Sequence, residues 1–61
     1  MYNEIVGQQI KIIHKDGDRT SISVGLLQEY DSSIQTLKMI KSSGKILFIH
    51  ATSIEKLEVL Q

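Results

Sequence analysis

The chain has no cysteine and no proline among its 61 residues. Without thiols it can form neither disulfides nor thiolate metal sites. Two histidines, His14 and His50, are too few for a zinc centre without a set of converging carboxylates. No metal and no cofactor is expected. Basic excess is missing as well: seven Lys and Arg balance seven Asp and Glu. Proteins that hold nucleic acid mainly through phosphates tend to carry such an excess. The balance therefore argues against a duplex-DNA clamp, while leaving room for a few unpaired bases held by stacking and base-edge hydrogen bonds. No apolar run approaches membrane-spanning length, and the opening Met-Tyr-Asn-Glu lacks the basic and apolar regions of a signal peptide. A soluble, cytoplasmic protein with no membrane partner is the expectation. Phosphate-cradling glycine loops are absent, and Asp16-Gly17-Asp18 lacks the remaining ligands of a calcium loop. No small-molecule substrate is evident.

What is present reads as one domain over residues 1–61. A chain this short buries only about 60% of the surface its unfolded form exposes, so its own core is marginal. With disulfides and metal excluded, self-association is the remaining stabiliser. Ile10, Ile12 and His14 alternate with Lys11, Ile13 and Lys15, the period-2 pattern of a half-buried strand. Asp16-Gly17 predicts a hairpin turn of type I′. Ile22, Val24 and Leu26 then give a second strand with one apolar face, interrupted by Gly25 at a bulge or bend. A third strand is expected over Ile34 to Lys41, followed by a Ser42-Ser43-Gly44 turn. Ile46-Leu47-Phe48-Ile49 is apolar on both faces, and a neighbouring subunit would cover what a monomer of this size cannot. The segment from Ile54 to Leu60 fits both a helix, by its Ile54, Leu57, Leu60 spacing, and a short final strand. Its position after an apolar strand and a Thr52-Ser53 corner favours the strand. Residues 1–6 hold at most a short helical turn. The fold class is all-β: a small, five-stranded, strongly bent barrel.

Three motifs sharpen this reading. They are Gly7-x-x-Ile10-x-Ile12, the stretch Gly25-Leu26-Leu27-Gln28-Glu29-Tyr30-Asp31, and Phe48-Ile49-His50-Ala51-Thr52-Ser53-Ile54. Together they resemble the Sm-like (LSm) superfamily, whose small SH3-like barrels close into rings and bind RNA around a pore. The resemblance spans nearly the whole chain. It implies RNA contacts in two loops, one reading Asp-x-His-Met-Asn and one with an Arg-Gly step. Here these positions hold Asp31, Ser33, Gln35 and His50-Ala51. The His50-Ala51 pair, with Phe48 before it, is also similar to the Tyr-Lys-His-Ala of the bacterial Hfq branch.

The expected function is thus a homo-oligomeric ring that binds single-stranded RNA through Asp31, Ser33, Gln35 and His50. Its subunits would join through Ile46, Leu47, Phe48, Ile49, Leu57 and Val59, the fourth strand pairing with a neighbour's fifth. The rival expectation is an oligomeric interaction module of the same fold that leaves nucleic acid alone. A monomeric proline-peptide reader is poorly served by one phenylalanine and two tyrosines. Each site residue also has a plainer role. His50 fits a hydrogen-bonded corner, Asp31 a turn former, Tyr30 interface or core packing, and Gln35 a solvated strand position. Catalysis is not expected: Ser32, Ser33 and His50 suggest a nucleophile and base, but nothing orients the imidazole.

Overall fold

The computed structural model describes residues 2–60. It is all-β: five antiparallel strands in a single, strongly bent sheet. The strands are β1 (Gln9–Asp16), β2 (Arg19–Asp31), β3 (Thr36–Lys41), β4 (Ile46–His50) and β5 (Ile54–Val59). Their order in the sheet is β4-β3-β2-β1-β5. A 3₁₀ turn over Tyr2–Ile5 precedes the sheet, and another over Ala51–Ser53 joins β4 to β5. The all-β class, the short N-terminal turn and the final strand agree with the sequence reading. Among the described residues, no helix is long and apolar enough to cross a membrane.

Alternation in β1 sends Ile10, Ile12 and His14 inward, as expected. The hairpin closes through a two-residue loop, Gly17-Asp18, with Asp16 opposite Arg19. Only Gly17 has a positive φ, at 70°. That is the φ signature of a type II′ turn, with glycine first, and not of type I′, which needs positive φ at both residues.

The apolar face expected of β2 turns out to be its solvent face. Ile12 lies opposite Ser23 and Ile10 opposite Gly25, so the small residues share the side of the buried isoleucines. Ile22 and Val24 point away and remain 61% and 44% exposed. The reason is steric. A Cβ on Gly25 would stand 2.5 Å from the Ile40 carbonyl oxygen and 3.0 Å from Met39 Cγ. Ser23 meets the buried His14, 3.0 Å from its Nε2. There is no room inside for branched side chains.

Gly25 is not itself the bulge. The register between β2 and β3 shifts between Leu27 and Glu29, leaving Gln28 as the extra residue. An extra residue reverses which side later residues face. Leu27 is buried, and three positions on Tyr30 lies opposite the buried Leu37. Glu29 and Asp31 turn outward. A second irregularity, between β1 and β5 at Ile13/His14, does the same for β5, where Ile54 pairs with His14 and Leu57 with Ile12. The i, i+3 spacing of Ile54 and Leu57 is therefore that of a bulged strand.

The core consists of Ile10, Ile12, Leu27, Leu37, Met39 and Ile49, with Tyr2, Ile5, Tyr30, Leu47, Ala51, Ile54, Leu57 and Val59 packed around it. Tyr2 leans on Tyr30 with ring centroids 5.1 Å apart. Leu27 anchors the N-terminal segment: its carbonyl accepts from Gly7 N–H at 2.8 Å, and its own N–H donates to Gln8 O at 3.0 Å. Among the described residues, β4 and β5 each pair on one side only. In β4, Leu47 and Ile49 face inward, while Ile46 and Phe48 face out and are 49% and 65% exposed. The single chain thus leaves one apolar face of β4 uncovered.

Candidate functional site

The residues singled out at 31–35 and at 50 come together at one end of the sheet. Asp31 pairs with Thr36 across β2 and β3, and Thr36 pairs with His50 across β3 and β4. The turn between β2 and β3 is tied to the turn after β4 by Ala51 N–H donating to the Gln35 carbonyl at 2.7 Å. β3 begins at Thr36, two residues later than expected. Ile34 and Gln35 therefore belong to the turn, and Gln35 adopts a left-handed φ of 52°. This conformation disfavours residues with a Cβ, and it places Gln35 off the strand to which the sequence assigned it.

The turn is organised by Asp31. Its Oδ1 accepts from the Ser33 backbone N–H at 3.0 Å and from the Ser33 hydroxyl at 2.6 Å, an Asx-type turn. The Ser33 hydroxyl first, and its backbone N–H second, hold the Asp31 carboxyl below the ordinary aspartate value of 3.8. Thr36 Oγ1 closes the turn by donating to the Ile34 carbonyl at 3.0 Å.

His50 stands at the corner. Its Nδ1 accepts from the Thr52 backbone N–H at 3.3 Å and lies 2.7 Å from the Thr52 hydroxyl. Because Nδ1 accepts, the neutral ring carries its proton on Nε2. Ser53 Oγ donates to the His50 carbonyl at 2.7 Å. His50 is thus an N-cap for the Ala51–Ser53 turn, with an exposed Nε2–H still free to donate. Ser33 and His50 each bind within their own turns and not to one another.

A lowered carboxylate pKa contributes stability that is present above the unfolded-state value and lost as pH falls through the folded-state value. Ser33→Ala removes the main cause of the shift. Asp31 should then titrate closer to 3.8, and the variant should lose less stability than the parent between pH 4 and the acid limb. Carboxyl-carbon NMR titration of Asp31 in both proteins checks this. Identical titration curves would assign the shift elsewhere.

Sequence reasoning missed the neighbouring cleft. On the outward face of β2, β3 and β4, Glu29, Asp31, Ile34, Thr36, Lys38 and Phe48 line a shallow depression of about 100 Å³. Lys38 lies between Glu29 and Phe48 in register. Only the β2 bulge puts both carboxylates on that side.

No protein-family model matches the chain, and no curated protein matches it. Among solved structures, it is similar to a chain from a structural study of Dcp1:Dcp2 mRNA decapping complex activation by Edc3 and Scd6. The TM-score is 0.81 at 18% identity, and the alignment covers 100% of this chain and 60% of that one. At such identity the likeness establishes a shared small β fold. This chain spans about three-fifths of its neighbour's length.

Proposed function

We propose that this chain is a non-enzymatic, Sm-like small barrel that assembles edge to edge and binds single-stranded RNA. Assembly joins the β4 edge of one copy to the β5 edge of the next, closing into a ring. The RNA site is the end of the sheet carrying Asp31, Ser33, Gln35 and His50.

The observation that carries this reading is the joining of the two turns, through Gln35 O and Ala51 N–H at 2.7 Å. In the Sm-like pattern these two turns are where RNA is held. Gln35 offers a side-chain amide for a base edge, and His50 offers Nε2–H and a ring face. The structural neighbour comes from work on an mRNA decapping complex, which is compatible with an RNA setting. For assembly, support lies in the two open edges and in the exposed Ile46 and Phe48. An unpaired apolar edge is a template for another strand.

A second reading has its own observation. The Ser33 hydroxyl is engaged by Asp31, and the carboxylates of Asp31 within the site and Glu29 beside it repel phosphate. This favours a protein-interaction module of the same fold.

Light scattering combined with oligo(U) and oligo(A) titrations at several salt concentrations separates the two. The RNA ring predicts a particle several times the 6.9 kDa chain mass and binding that falls about tenfold in His50→Ala, the worth of one stacked base. Oligomers that bind neither RNA at low salt leave the module reading. A monomer at all concentrations removes the ring.

A further inference from the structure

The cleft on the outward face carries an inference beyond the RNA ring, with which it shares Asp31 of the RNA site and Phe48 of the assembly face. Its volume of about 100 Å³ is well under the roughly 300–1,000 Å³ of sites that enclose small-molecule ligands. A space that size admits one side chain. Its apolar surface comes from Phe48 and Ile34, which are 65% and 59% exposed. The two lie on one lining and form its apolar floor, beside the charged side chains of β2 and β3.

Charge narrows the occupant. Glu29 and Asp31 alternate along β2 and share the outward face. Among the described residues neither lies within ion-pair distance of a cation, since the ion pairs there are Lys15–Glu55 and Lys56–Glu58. Asp31 is held ionised by its Ser33 hydrogen bonds. Lys38 also lines the cleft, so the three charged groups sum to one negative charge. The lining is net acidic beside an apolar floor, the reverse of what a phosphate backbone requires.

We propose that this cleft docks a segment of a partner protein in which an apolar side chain sits next to an arginine. The apolar side chain enters between Ile34 and Phe48. The guanidinium lies against Glu29 and Asp31, whose spacing along one strand face lets a planar fork meet either or both carboxylates. Lys38 acts against the arginine and sets how strongly the site prefers it.

Two blocked peptides test this, Ac-Gly-Ser-Leu-Arg-Leu-Ser-Gly-NH2 and its counterpart with glutamate in place of arginine. Each is titrated to millimolar concentration into ¹⁵N-labelled full chain, with oligo(U) as a third ligand. The arginine peptide should selectively shift the amide signals of Glu29, Asp31, Lys38 and Phe48. Glu29→Lys should weaken binding about three- to fivefold, Lys38→Glu should strengthen it by a similar factor, and Phe48→Ala should abolish the shifts. Equal responses to both peptides, or no response to either, overturn the proposal. So does oligo(U) occupying the same residues with the opposite charge dependence. Light scattering on the same samples shows whether the peptide binds alongside assembly or displaces it from Phe48, so failure of the docking and failure of the ring are read separately.

Discussion

Gly25→Val should yield a chain that does not fold. The first atom of any side chain at this position would lie 2.5 Å from the Ile40 carbonyl oxygen and 3.0 Å from its carbonyl carbon. Neither atom can move independently, because Ile40 pairs with Leu26 on one side and Ile46 on the other. Relief would require separating β2 from β3. Overpacking a core commonly costs about 1–3 kcal/mol, more when backbone must shift. At roughly 0.05–0.15 kcal/mol per residue, a domain of this size holds only about 3–9 kcal/mol in total. Even Gly25→Ala should therefore cost about 3 kcal/mol. Gly17 supplies the control: nothing lies within 4 Å of its added Cβ, and only its φ of 70° opposes a side chain. Gly17→Ala should cost about 1 kcal/mol. Urea denaturation of the three variants decides the matter. A Gly25→Ala protein within 1 kcal/mol of the parent would mean that β2 and β3 do not approach so closely.

The same glycine explains why part of the fold was legible in the sequence and part was not. β1 could be read because its buried residues, Ile10, Ile12 and His14, follow simple alternation and its inner face is the more apolar one. β2 breaks that equivalence. Its inner positions are Ser23 and Gly25 because His14 and the β3 backbone occupy the space, so the apolar residues were left outside. Hydropathy reports what a residue prefers, not which face has room. The two bulges hid further information. Leu27 and Tyr30, like Ile54 and Leu57, are three apart and face the same way, a spacing that suggests a helix unless an extra residue is allowed for. The gathering of Asp31, Ser33, Gln35 and His50 was foreseen from resemblance alone, since no local pattern joins positions fifteen or more apart. The acidic wall of the cleft was not foreseeable. With unbroken alternation from Leu27, Glu29 and Asp31 would have faced inward.

Leu27→Ala is expected to produce the second large effect, and it bears on why the chain should assemble at all. Leu27 is fully buried and sits where the inner face of β2 meets the bulge. Its backbone also holds Gly7 and Gln8, contacts that alanine preserves. The change therefore isolates the side chain. Truncating a buried leucine costs about 2–5 kcal/mol, a large share of the roughly 3–9 kcal/mol available and all of it at the lower end. As a dilute monomer the variant should be substantially unfolded. If neighbours pair through β4 and β5, association adds a stabilising term that grows with protein concentration. Raising the concentration should then restore folded signal to Leu27→Ala and move its urea midpoint upward. Phe48→Asp in the same background, which places a charge on the uncovered face of β4, should cancel that recovery. A midpoint for Leu27→Ala that stays fixed across a hundredfold range of concentration would locate the whole of the stability inside one chain. Ile46 and Phe48 would then need a different partner to cover them.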